Sequence, residues 1–143
     1  MKKIKTMSMK DKDRINALNE IRILASMNSE YIIGYKDSFY DEGSAHLCII
    51  LEFAAQGDLL KKVNDHAKQK KKIEEAEIWR ALNEITRGMK SLHDKNILHR
   101  DLKSANIFIT ENGTYKLGDL NISKVLKQGL AHTQTGTPYY CSP

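Results

Sequence analysis

The sequence predicts an α+β fold in two parts that meet near Phe53 to Gly57. Three observations predict it. "YIIGYKDSFY" and "HLCIILEF" read as strands joined by the turn "DEGSA". From Glu74 to Lys95, Ile78, Leu82, Ile85, Met89 and Leu92 recur at steps of four, three, four and three, the period of a helix with one apolar face. Asn112-Gly113, between two β-prone runs, is a hairpin signal. A few strands and one helix therefore come first; helices, a hairpin and a loop follow.

The elements follow in chain order. Ser8-x-x-Asp11 resembles a capping box. It predicts a helix to about Met27 with Ile15, Leu18, Ile21 and Ala25 as its apolar stripe. Leu47 to Leu51 is unbroken apolar sequence, as in a strand buried on both faces. Gly57-Asp58 opens a short helix that fades into "KQKKK", Lys68 to Lys72, read as a solvated loop between helices. Beyond Gly118 periodicity is lost and Thr, Ser and Gly accumulate, as in a long functional loop.

Composition narrows the classes. Of 143 residues, 41% are hydrophobic and 29% charged, the balance of a soluble globular chain with one modest core. Nothing approaches the roughly 18 consecutive apolar residues of a membrane span. "MKKIKTMSMKDKDR" lacks the apolar centre of a signal peptide, so an intracellular protein is expected. Cys48 and Cys141 have no CxxC partner and are read as reduced thiols. No histidine has metal-ligand spacing. The net charge of +5 sits largely in the lysine run and is not interleaved with aromatics, which argues against a nucleic-acid groove.

One stretch departs from this ordinary picture. "ILHRDLKSANIFIT", Ile97 to Thr110, sets His99, Arg100, Asp101, Lys103 and Asn106 between apolar flanks. Buried charge costs several kcal/mol unless it is paired or used. These groups must satisfy one another or face a cleft and do chemistry.

"HRDLKSAN" resembles the catalytic loop of protein kinases, H-R-D-L-x-x-x-N. Asp119 in "KLGDLNISKV" falls where that family has its metal-binding Asp-Phe-Gly. "GTPYYCSP" resembles the substrate-peptide loop, "LEFAAQGDLL" the gatekeeper and hinge, "LNEIRIL" helix C, and "MKKIK" the end of the phosphate-lysine strand. The set is ordered and spans the whole chain. "LHD", "ILHRDLKSANIF" and "GTPYYxSP" are similar to the NIMA-related serine/threonine kinases.

The resemblance implies a two-lobed kinase fold: residues 1–53 as an incomplete small lobe, and 54–143 as hinge, helices D and E, catalytic loop and activation segment. It implies ATP and Mg²⁺ as cofactors and a protein substrate with Ser or Thr, with no nucleic-acid or membrane partner. Asp101 would accept the substrate hydroxyl proton, Lys103 would neutralise the moving phosphoryl group, and Asn106 and Asp119 would hold the metal. Lys2, paired to Glu20, would hold the α- and β-phosphates. Leu51 would be the gatekeeper. The Glu52 and Ala54 backbones would bond adenine, and Asp58 would sit near the ribose. His99 would be structural. Arg100 implies a charge pocket for a loop phosphate. Thr133 matches the activating threonine, with Thr135 next. Thr137 would bond to Asp101 and Lys103.

Two departures from the family pattern carry expectations of their own. Leu120-Asn121 replaces Phe-Gly. Leu120 should still fill an apolar slot against His99, Leu24 and Tyr35, and Asn121 suits a positive φ. No Gly-rich loop precedes Lys2 and no glutamate follows Pro143. A domain truncated at both ends is therefore expected, with apolar faces such as Ile107-Phe108-Ile109 left without partners. The alternative to an active kinase is a non-catalytic, pseudokinase-type scaffold.

Overall fold

Strands β1 (Lys2–Lys5), β2 (Tyr35–Asp41) and β3 (His46–Leu51) form an antiparallel sheet in the order β1-β3-β2. The computed structural model of the chain describes residues 1–7, 9–120, 124–125, 137 and 140. The unbroken apolar run takes the central place because a central strand has both faces covered. Successive side chains Cys48 and Ile49 point to opposite faces, and both are buried.

Helix α1 (Asp11–Ser26) lies between β1 and β2 in sequence. Its start differs from the capping box: the N-cap is Lys10, with no side-chain cap bond. Ser8 lies outside the described residues. Its buried face differs too. Ala17, Glu20, Ile23 and Leu24 are buried, whereas Ile15 and Leu18 are 57% and 50% exposed and Ala25 is exposed. The helix is rolled so that Glu20 reaches Lys2 on β1. The buried face is offset from the predicted stripe by about a third of a turn, although Ile21 of that stripe still packs partly against the core.

Helix α2 (Leu59–Lys68) is capped by Asp58, whose carboxylate accepts from the Lys61 N–H at 2.8 Å. Helix α3 (Glu75–His93) buries Ala81, Gly88 and Leu92. Ile85 and Met89 pack partly against the core, but Ile78 and Leu82 are 53% and 54% exposed. The predicted stripe is therefore correct only in its C-terminal half. A Cβ on Gly88 would lie 2.6 Å from the Tyr31 carbonyl oxygen and 2.9 Å from Leu117 Cδ1. The helix approaches along this small-residue seam, which swings Ile78 and Leu82 outward.

Strands β4 (Ile97–Leu98), β5 (Ile107–Ile109), β6 (Tyr115–Leu117) and β7 (Lys124–Val125) complete the fold. β5 and β6 form the predicted hairpin, with Gly113 at φ +81° in its turn. β4 pairs with β7. The Ile33 N–H donates to the Leu117 carbonyl, and the Leu117 N–H donates to the Tyr31 carbonyl. These bonds dock the 31–33 segment on β6.

One core joins the two parts. Ile23, Leu24, Ile32 and Ile49 share it with Leu92, Ile97, Ile107, Ile109, Leu117 and Leu120. The expectation that Ile107-Phe108-Ile109 lacks partners is thereby corrected. Ile107 and Ile109 are 5% and 1% exposed, because the hairpin sits at the junction of both parts. Leu120 is fully buried in the same cluster as Leu24, with Tyr35 packed against it. No helix among the described residues is long and apolar enough to cross a membrane.

Candidate active site

A cavity of about 500 Å³ opens where the sheet faces the hairpin. Lys2, Glu20, Leu51, Glu52, Ala54, Asn106 and Asp119 all line it. They come from β1, α1, the end of β3 and the loops around the hairpin, so only the folded chain gathers them.

Lys2 Nζ stands 2.8 Å from Glu20 Oε1 and 3.2 Å from Asp119 Oδ1. The Glu20 side chain is 3% exposed, so this carboxylate depends on the lysine for its solvation. Asp119 has φ +54° and Arg100 φ +64°. Non-glycine residues adopt this left-handed region rarely, and such outliers gather at functional sites. Asn121, where a positive φ is anticipated, lies outside the described residues. Gly118 fixes the approach, since a Cβ there would lie 2.5 Å from Phe108 Cε2.

A second network adjoins the first through Asn106. Asp101 Oδ1 accepts from Thr137 Oγ1 at 2.5 Å. Its Oδ2 lies 2.7 Å from Lys103 Nζ and accepts from Asn106 Nδ2 at 2.9 Å. Lys103 Nζ also donates to Thr137 Oγ1 at 2.8 Å. Burial alone would push the Asp101 carboxyl up, but the bonds from Lys103, Thr137 and Asn106 outweigh it and hold it below the usual carboxylate range. Asn106 Nδ2 spends its protons on Asp101, on the backbone carbonyl as well as the side chain. That orientation leaves Asn106 Oδ1 as an acceptor for something else.

His99 is 1% exposed. Its Nδ1 accepts from the Asp101 N–H at 3.3 Å, so Nε2 carries the proton and donates to the Gly118 carbonyl at 3.1 Å. Burial pushes the imidazole pKa down. The ring thus links the residue before Asp119 to the loop of Asp101.

Other residues fall differently. Asp58 does not line the cavity; it stands beside Gly57, which does, and its carboxylate serves the α2 N-terminus. Arg100 is half-buried. Thr133 and Thr135 lie outside the described residues. Sequence reasoning missed the Glu52 side chain and Lys116. Lys116 Nζ donates to Glu52 Oε1 at 2.6 Å and Oε2 at 2.9 Å, and the Gly34 N–H donates to Glu52 Oε2 at 3.0 Å. The signal was thin, since a lysine alternating with Tyr115 and Leu117 in a strand reads as solvent-facing by default.

The family model "Protein kinase domain" matches residues 1–143. The chain is 41% identical to serine/threonine-protein kinase Nek1 of Mus musculus over 145 residues, covering all of this chain and 12% of that protein. It is 43% identical to the probable serine/threonine-protein kinase nek3 of Dictyostelium discoideum, covering all of this chain and 13% of that protein. It is 37% identical to the probable serine/threonine-protein kinase nek2 of the same organism, covering 95% of this chain and 34% of that protein. The chain thus spans between about an eighth and a third of the length of these relatives. With the kinase match running from the first residue to the last, the chain belongs to the protein kinase domain family, and its relatives within it are NIMA-related serine/threonine kinases.

Proposed function

We propose that the protein transfers the terminal phosphoryl group of ATP to serine or threonine hydroxyls of a protein substrate. The observation that carries this reading is the Lys2 ammonium between Glu20 and Asp119, in the wall of the cavity that also presents Asn106. Phosphoryl transfer has a loose transition state, so a site accelerates it mainly by positioning and electrostatics. A fixed ammonium, a carboxylate and an amide oxygen around one cavity suit that task.

Residues 1–53 act as the small lobe and 54–143 as hinge and large-lobe elements. Leu51 is the gatekeeper at the end of β3. The Glu52 N–H is spent on the Gly34 carbonyl, and the Ala54 carbonyl accepts from the Gly57 N–H. The Glu52 carbonyl and the Ala54 N–H are the complementary pair offered to a purine edge. Lys2 holds phosphate oxygens and is itself held by Glu20. Asp58, next to the cavity-lining Gly57, offers a carboxylate oxygen to a ribose hydroxyl at the cavity's edge.

The donor set fits magnesium. Asp119 and Asn106 would hold Mg²⁺ through hard oxygens of the kind it prefers. When bound, the ion neutralises charge on the phosphate oxygens. Asp101 orients the substrate hydroxyl and takes its proton. Its lowered pKa makes it a weak base, so orientation is its larger share. Lys103 is placed to meet charge on the moving group. Thr137 holds Lys103 and Asp101 in register. Arg100 is the cation that a phosphate placed on Thr133 would meet.

Thermal melting of the chain with and without Mg²⁺-ATP tests the reading. A nucleotide-dependent rise in Tm that vanishes in Asp119→Ala, with label transfer from ATP to Ser or Thr of a protein substrate, is the expected result. A shift with no transfer would favour the scaffold alternative. No shift would overturn the nucleotide site itself.

A further inference from the structure

The Glu52–Lys116 pair is built in a way the phosphoryl-transfer reading does not use. Lys116 is only 13% exposed at its side chain and Glu52 27%. Both carboxylate oxygens are engaged by the lysine, and one of them by the Gly34 N–H as well. The Glu52 N–H returns a bond to the Gly34 carbonyl at 2.7 Å. Burial pushes the Glu52 carboxyl up, but Lys116 and the Gly34 N–H outweigh it and hold it below the usual carboxylate range.

Glu52 lines the cavity, and Lys116, which stands outside the lining, grips its carboxylate. Glu52 lies in the segment that would receive the base. Lys116 lies three residues before Asp119, on a strand with little freedom. Leu117 is locked to the 31–33 segment by two backbone bonds, and the Gly118 N–H donates to the Asn106 carbonyl. Gly118 is pressed against Phe108. Only Leu117 and Gly118, both held by backbone bonds, separate Lys116 from Asp119.

We propose that Glu52 and Lys116 are positioning residues that set the spacing between the base-binding edge and the metal-holding carboxylate. The proposal rests on the nucleotide-site reading above. A ligand spanning both ends feels this spacing, and a ligand that reaches only the base edge does not.

The test compares Mg²⁺-ADP with adenosine by calorimetry on the full chain. In Lys116→Met, affinity for Mg²⁺-ADP falls about tenfold while that for adenosine stays within about twofold, the scale of a small misplacement at one end. Lys116→Arg, which keeps a two-pronged grip on a carboxylate, restores the wild-type ratio. If Lys116→Met fails to melt cooperatively, Glu52→Gln takes its place; it keeps the shape and an acceptor for Gly34, and the same selective loss is expected. Parallel losses for both ligands, or no loss for either, would overturn the clamp and leave the nucleotide reading intact. A wild-type chain that binds Mg²⁺-ADP no better than adenosine, with no effect of Asp119→Ala, would instead overturn that reading and the clamp with it.

Discussion

Lys2 Nζ and Glu20 Oε1 meet at 2.8 Å, and Glu20 is buried from solvent while Lys2 is about a third exposed. The asymmetry means the two residues do not lose equally when the pair is cut. Removing the lysine strands a buried charge; removing the glutamate frees a lysine that still has water and Asp119 at 3.2 Å.

Lys2→Met should therefore lower stability by about 2 kcal/mol, below the range for a fully buried pair because the lysine is partly wet. Glu20→Gln should cost less than half of that. Chemical denaturation of both variants checks the order. The nucleotide-dependent Tm rise should be lost in Lys2→Met, and equal destabilisation by the two variants would contradict the asymmetry.

Asp101→Asn preserves shape but removes the charge that Lys103 and Thr137 face. Phosphoryl transfer should fall by about 10³-fold while Mg²⁺-ATP affinity stays within about twofold. Steady-state kinetics and calorimetry together decide it. A matching loss of nucleotide affinity would move Asp101 from the hydroxyl side of the reaction to the phosphate side.

Gly88 is a packing constraint with no chemistry attached. Gly88→Ala puts a methyl 2.6 Å from the Tyr31 carbonyl, which is backbone and cannot step aside cheaply. A loss of about 2 kcal/mol is expected, in the range of overpacked cores. Gly43→Ala is the control, since its nearest neighbour would be at 3.5 Å, an ordinary contact. Equal Tm values for the two variants would show that the 31–33 segment is not docked tightly on α3.

Much of this arrangement was legible in the sequence, and the part that was not has a common cause. Strands β2 and β3, the α3 helix and the hairpin at Gly113 announced themselves through local periodicity and turn chemistry. The polar run from His99 to Asn106 stood out because its flanks demanded burial. What failed was rotation about helix axes: Ile15, Leu18, Ile78 and Leu82 all face outward. In both helices the buried face carries a long-range contact that no local stripe announces, Lys2 with Glu20 in one and Tyr31 with Gly88 in the other. The Glu52–Lys116 pair joins residues 64 apart in sequence, and no local pattern could have announced it.

His99 should give the protein a stability that depends on pH in a range where carboxylates are silent. Burial holds its folded pKa below the ordinary imidazole value of about 6.5, against the smaller upward pull of the Gly118 carbonyl, Asp101 and Asp119. The unfolded chain thus binds the proton more readily than the folded one. Stability is full above that ordinary value and declines as the pH falls through it towards the folded value, at a slope of up to about 1.4 kcal/mol per pH unit. Asp101, Glu52 and Glu77 also have lowered pKa values, but they add their loss only below the ordinary carboxylate range of about 4. Melting curves between about pH 5 and 8 isolate the histidine. The decline should flatten in His99→Asn, which is expected to be less stable at neutral pH because Gly118 loses a donor. A decline that survives the substitution unchanged would assign the acid sensitivity to another group.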